Sequence, residues 1–269
     1  MKSCVTVSLL PEARGGPFVL WDDLPKACET AARLGFDAIE VFAPGPEAID
    51  AAALEQLLRK HHLSLAALGT GGGWVRHKLT LSSPSAENRQ RGIDFISSMI
   101  QLAARFGAAV IVGSMQGRFE GEVTRSQALD YLGAALTKLA DVAVRQNVTV
   151  FYEHLNRYET NLLNRIEDVV PFVKPFGPRV KILADLFHMS IEEANMADAI
   201  RAAGEHIGHV HLADSNRRPA GLGHTDFKPI FAALRHIGYS GYVSAEAFPY
   251  PDPERAAEQT IRAIRQFAA

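Results

Sequence analysis

Val148-Thr-Val-Phe-Tyr-Glu-His154 packs β-branched and aromatic residues into a short run that closes on an acid. A run of this composition and length reads as a buried strand. It returns downstream in Val180-Lys-Ile-Leu-Ala-Asp185, His209-Val-His-Leu-Ala-Asp214 and Tyr242-Val-Ser-Ala-Glu246. Upstream, further β-type runs begin near Cys4, Asp37, Ser64 and Ala109, so that eight starts follow one another at intervals of 27 to 45 residues. Helical periodicity fills the gaps at 24–34, 49–58, 93–106, 129–144, 194–203 and 229–237. Strands alternating with helices predict βα units and a parallel sheet. Eight such units in about 250 residues predict a closed (β/α)8 TIM barrel, an α/β fold, rather than an open doubly wound sheet.

Local punctuation agrees. Thr124-Arg-Ser-Gln127 is a capping-box pattern, and Asp23 and Asp226 are N-cap candidates. Ser83-Pro84 and Asp252-Pro253 place proline at the expected first helical position. Gly35, Gly107 and Gly238 fall where a left-handed cap would end a helix shortly before a strand. Gly69-Thr-Gly-Gly-Gly-Trp74 follows the third strand and lacks the spacing and trailing acid of a dinucleotide fingerprint, so it reads as a flexible loop over the barrel mouth. No composition break divides the chain, and a single domain over residues 1–269 is expected.

The chain carries 28 Lys+Arg against 30 Asp+Glu, with 47% hydrophobic and 22% charged residues. That is ordinary globular usage, and the near-neutral balance argues against a nucleic-acid partner. No apolar run approaches the roughly 18 residues that span a bilayer. The early run Val5 to Leu10 is short and enters Pro11, Glu12 and Arg14 without a cleavage site, so a cytoplasmic chain with no membrane partner is expected. Cys4 and Cys28 read as two buried hydrophobes rather than a disulfide.

In a barrel of this kind the C-terminal strand ends build the active site. The last four strands bring Glu153, Asp185, His211 and Glu246 there. Three carboxylates converging in a low-dielectric mouth repel one another unless a cation neutralises them. Three carboxylate oxygens and one imidazole nitrogen are a hard, mixed donor set, suited to Mn²⁺, Mg²⁺ or Co²⁺ and able to take Zn²⁺. His209, two residues before His211, reads as a hydrogen-bonded core histidine. His224 is a candidate brace for the mouth, and Asp214 and Asn216 either order their loop or touch the ligand. His61, His62, His77, His206 and His236 read as surface or cap residues.

These segments resemble a known superfamily. Glu153-His-Leu-Asn-Arg-Tyr-Glu159 with Asn161-Leu-Leu-Asn164 is similar to the E-x-x-N-R-x-E…LLN segment of the xylose-isomerase-like sugar isomerases and epimerases, and most of all to their ketose 3-epimerases. Asp185-Leu-Phe-His188 resembles the D-x-x-H of that group, His209–Arg217 its H-x-H-x-x-D-x-x-R, and Gly221–Phe227 its G-x-G-H-x-D-[FW] loop. The resemblance covers about residues 148–250. It implies one divalent cation, Mn²⁺ first, on Glu153, Asp185, His211 and Glu246. It also implies substrate contacts from Glu159, His188 and Arg217. His154 departs from the pattern, where many relatives have proline; it is expected to point away from the metal side.

The activity expected is inversion at C3 of a ketose. The cation would stabilise an ene-diolate as a Lewis acid, while Glu153 and Glu246 remove and return a proton on opposite faces. A hydroxypyruvate isomerase or a keto-inositol dehydratase of the same superfamily is the alternative, and a sugar-binding barrel without turnover is a third reading. The expected partner is a small-molecule sugar, and the expected assembly is a homodimer or homotetramer.

Overall fold

The structure, a computed structural model, describes residues 1–268. Nine strands form in chain order: β1 (Lys2–Ser8), β2 (Leu20–Trp21), β3 (Ala38–Phe42), β4 (Ser64–Gly69), β5 (Ala109–Val112), β6 (Val150–Glu153), β7 (Val180–Asp185), β8 (Ile207–Leu212) and β9 (Tyr242–Ala245). All pair in parallel in the order β2-β1-β3-β4-β5-β6-β7-β8-β9, and β1 also pairs with β9. That last pairing closes an eight-stranded barrel. Lys2 to Val5 of β1 align with β9, while Val7 and Ser8 align with β2, which therefore takes the place of β9 along the rim end of β1. Across the seam Thr6 Oγ1 donates to the Ala245 carbonyl at 2.7 Å and accepts the Val19 N–H at 3.1 Å.

Ten helices accompany the strands: α1 (Leu24–Leu34), α2 (Ala51–His61), α3 (Gly72–Val75), α4 (Ala86–Ala104), α5 (Arg125–Gln146), α6 (Ile166–Val173), α7 (Leu186–Glu192), α8 (Met196–Ala203), α9 (Phe227–His236) and α10 (Pro253–Ala268). The main core lies between strands and helices, where Ile39, Val41, Val110, Tyr152, Ile182 and Val210 point outward. Strand side chains alternate with period two, so their neighbours point inward. Phe42, Ala67, Ile111, Phe151 and Leu183 fill the barrel interior. The same alternation puts Glu40, Glu153, Asp185, His209, His211 and Glu246 on the inner face.

Sequence punctuation is realised at most positions. Asp23, Asp226 and Thr124 cap α1, α9 and α5, the last with both bonds of its capping box. Asp252 Oδ1 accepts the Arg255 N–H at the start of α10. Gly35, Gly107 and Gly238 have positive φ. Three expectations need correction. The cap of α4 is Ser85, whose hydroxyl accepts the Asn88 N–H, and not Ser83. The glycine-rich segment is not an open loop: it folds into α3, with Gly72 and Gly73 buried and a Cβ on Gly72 barred by the Ala43 carbonyl. Glycine serves here for close packing. Third, the motif Asp185-Leu-Phe-His188, whose spacing reads as a strand followed by a turn of loop to His188, runs straight into helix α7, so that His188 is helical. Cys4 and Cys28 are free and buried, as expected.

Candidate active site

Asp185 ends β7 and caps α7, and its two oxygens divide the work. Oδ1 accepts the N–H groups of Phe187 and His188 at 2.7 and 3.1 Å, which fixes the side chain. Oδ2 has no hydrogen-bond partner and is completely buried. It lies 3.6 Å from His211 Nδ1, itself buried and without a partner. Glu153 Oε1 and Glu246 Oε2 approach that nitrogen to 3.4 and 3.5 Å. One ligand atom from each of Glu153, Asp185, His211 and Glu246 lies within 4.8 Å of the other three. The four residues singled out by their strand ends therefore do meet at one point.

The electrostatics of that point call for positive charge. Burial pushes the Glu153 carboxyl up to about 8, and the Glu246 and Asp185 charges add to the effect against His211. The surrounding acids, Glu40 and Glu246 foremost, raise His211 well above its ordinary value although burial opposes this. Buried oxygen and nitrogen donors left unpaired and crowded anions are what a divalent cation satisfies. Glu153, Asp185, His211 and Glu246 fit such an ion.

Sequence reasoning passed over Glu40. It sits in the middle of β3, fully buried, and grips two histidines: Oε2 lies 2.6 Å from His209 Nε2 and Oε1 lies 2.9 Å from His211 Nε2. Burial alone would raise the Glu40 carboxyl; the His211 and His209 imidazoles outweigh it and bring it down to about 2. With Nε2 of His211 committed to Glu40, Nδ1 is the nitrogen that faces the acids. A lone acid inside the apolar run Ala38-Ile-Glu-Val-Phe42 was the available signal. His209 is the hydrogen-bonded core histidine expected, stacked on Phe151 with ring centroids 5.0 Å apart.

The remaining predicted contacts surround the cluster. Arg217 Nη2 donates to Glu246 Oε2 at 2.5 Å, and its guanidinium lies 4.5 Å from the centre of the Phe187 ring. Arg217 Nη1 lies 3.4 Å from Glu159 Oε1, and Asn156 Nδ2 donates to the same oxygen at 3.2 Å. His188 Nδ1 lies 2.7 Å from Asn156 Nδ2, and burial lowers its pKa to about 3, so the ring is neutral. Glu153, Glu159, His188, Arg217 and Glu246 line a cavity of about 520 Å³ with Phe18 among its apolar walls. Asp214 proves to order its loop: Oδ1 accepts from Ser215 and Thr225, and Oδ2 from Gly221. Asn216 bridges Arg218 and Leu222 likewise. His224 is exposed, and its backbone N–H donates to Ser215 Oγ at 3.0 Å. His154 is buried, and neither of its ring nitrogens has a partner.

A parallel barrel whose strand ends bring three acids and an imidazole together offers a site with the donors a divalent cation takes. The profile of the family described as "Xylose isomerase-like TIM barrel" matches residues 28–267, and the chain belongs to that family. It is 34% identical over 243 residues to a D-psicose 3-epimerase of Agrobacterium fabrum, spanning 88% of this chain and 80% of that one. It is 32% identical over 228 residues to an L-ribulose 3-epimerase of Methylomonas sp., spanning 83% and 78%. A solved structure of a D-allulose 3-epimerase from Methylomonas sp., in complex with D-allulose, superposes with a TM-score of 0.82 at 27% identity, over 99% of this chain and 98% of that one. The chain is an enzyme of the isomerase class, of the epimerase type. Among the described residues no helix is long and apolar enough to cross a membrane.

Proposed function

We propose that this protein inverts C3 of a ketose, using Glu153 and Glu246 as the proton-transferring pair. The observation that carries the reading is the convergence of those two carboxylates, from strands on different sides of the site, on the Asp185–His211 corner. A divalent cation on Glu153, Asp185, His211 and Glu246, Mn²⁺ first, supplies Lewis-acid stabilisation of the charge that develops on the substrate oxygens. One glutamate takes the C3 proton from one face, and the other returns a proton from the opposite face, which inverts the centre. The direction of reaction decides which acts first. Arg217 holds a substrate oxygen with its planar donor fork while orienting Glu246. His188 and Glu159, tied together through Asn156, hold the hydroxyls beyond. The apolar wall that includes Phe18 excludes water from the reacting carbon. The reading describes a cytoplasmic homodimer or homotetramer.

Incubation of the Mn²⁺-loaded protein with D-fructose or L-ribulose in deuterated water tests it. Deuterium is expected at C3, together with the C3 epimer, and EDTA is expected to stop both. Exchange that persists after complete chelation, or its absence from every ketose, overturns the proposal.

A further inference from the structure

A second cavity of about 450 Å³ opens beside the first. Ser114, Leu155 and Glu159 line both, so the two communicate beside a residue expected to touch the substrate. A cavity of either size falls within the range that holds one small ligand. The proton-transferring and substrate-holding residues assigned to C3 inversion line the first cavity, and Glu159 alone of them also lines the second.

The second cavity is a constructed place. One wall is Trp74 to Pro84, the other Ser114 to Glu120. Lys78 stands in the left-handed region at φ 54°, unusual for a residue with a side chain, and Asn88 of α4 pins it there by donating to its carbonyl at 3.1 Å. Asn88 also accepts the Thr80 N–H at 2.9 Å. On the opposite wall Asn161 accepts from the Phe119 N–H and donates to its carbonyl, at 2.9 and 3.0 Å. Thr160 Oγ1 donates to the Gly117 carbonyl at 2.8 Å.

What these walls present is specific. Trp74 is 40% exposed, and Lys78 Nζ lies 4.9 Å from its ring centre. Lys78 and Arg118 make no ion pair with any acid among the described residues. Two cations, Lys78 and Arg118, are balanced by two acids, Glu120 and Glu159, with the hydroxyls of Thr80, Ser83 and Ser114 between them. A phosphate or carboxylate would gain from the cations and be opposed by the acids. A neutral ring whose hydroxyls both donate and accept uses all of these groups, and its C–H face suits an indole.

Resting on the epimerase reading above, we propose that the second cavity is a subsite for a second sugar ring. The enzyme's preferred substrate is then a ketose that carries a glycosyl group on a terminal hydroxyl, at the end of the sugar that lies beside Glu159. Trp74 stacks against the added ring and Arg118 bonds its hydroxyls, while the keto-sugar occupies the reaction cavity.

The test compares D-fructose with 1-O-α-glucosyl-D-fructose and 6-O-α-glucosyl-D-fructose, one glucosylated at each end. In the Mn²⁺-loaded enzyme, kcat/KM for deuterium exchange at C3 is expected to be at least tenfold higher for one of the two glucosylated sugars. Trp74→Ala and Arg118→Ala should each remove most of that advantage and change exchange into D-fructose less than twofold. Equal or poorer use of both glucosylated sugars, or an advantage that survives both substitutions, overturns the subsite. So does a Lys78- and Arg118-dependent preference for fructose 6-phosphate, which would make the cavity an anion site. A binding readout separates this proposal from the one it rests on. Trp21 and Trp74 are the two tryptophans of the chain, so in Trp21→Phe the indole emission reports Trp74. Glucosylfructose should shift that emission, and D-fructose should not. A shift without exchange of any sugar overturns the epimerase reading and keeps the subsite. Exchange into D-fructose with no shift overturns the subsite alone.

Discussion

Strands β6 to β9 and strands β1, β3, β4 and β5 complete the same barrel, with the same inward and outward alternation, yet they carry different things at the rim. The first group ends in Glu153, Asp185, His211 and Glu246, which converge within a few ångströms. The second ends in Ser8, Phe42, Gly69 and Val112, and continues into Gly113, where a Cβ would strike the Glu153 carboxylate. One half supplies charge and the other supplies space and apolar wall. Charge transfer needs fixed donors at a short distance, whereas selectivity needs a surface that variable loops can reshape. Glu40 is the exception: it belongs to the apolar half, lies one layer below the rim, and grips His211 from beneath.

Four experiments would break or sharpen this division. The largest effect is expected at the charged half: Glu246→Gln keeps the shape and removes the proton acceptor, so C3 exchange should fall by about 10³-fold or more with an unchanged circular dichroism spectrum. Undiminished turnover would take Glu246 out of its assigned role. Next is Glu40→Gln, which sets an amide NH₂ against an imidazole N–H. Mn²⁺ affinity of the chelated protein, measured by calorimetric titration, should weaken by about 10–100-fold. Two ions bound per chain would instead make Glu40, His209 and His211 an ion site of their own.

The third concerns His154, outside the cluster and adjacent to Glu153. Burial lowers its pKa from 6.5 to about 4, so the folded state keeps it neutral while the unfolded chain takes up a proton near pH 6.5. Its contribution is fully present above that pH and is lost as pH falls from about 6.5 to about 4. Between pH 7.5 and 5, the wild type should lose about 2 kcal/mol more stability than His154→Leu in urea denaturation. An equal loss in both would show that another group governs the acid limb. The smallest effect is at the seam of the two halves. Thr6→Val removes the bond to the Ala245 carbonyl and leaves the Val19 N–H unpaired, and should cost about 1–2 kcal/mol without altering metal affinity.

Much of this could be read in the chain. Strand starts fell within two residues of those found, from Lys2 to Tyr242, because a buried parallel strand must be continuously apolar and short. The helix starts were less legible: α4 begins at Ala86 and not near Ile93, since its first two turns are polar and exposed and carry no periodic signal. Glu40 was missed because its one local signal, a lone acid within an apolar strand, does not say what it grips. Its meaning comes from His209 and His211, about 170 residues away in sequence, and so does the open Oδ2 of Asp185, whose other oxygen is occupied by a helix cap.

The sequence by itself determined the barrel, the three acids and one imidazole at its later strand ends, and the family they resemble, because periodicity and strand-end placement are written locally. Tertiary structure alone decided which nitrogen of His211 faces the acids, which oxygen of Asp185 is free, and that a second chamber opens past Glu159. Those facts depend on distances between segments that the linear order keeps apart, and only closure of the sheet fixes them.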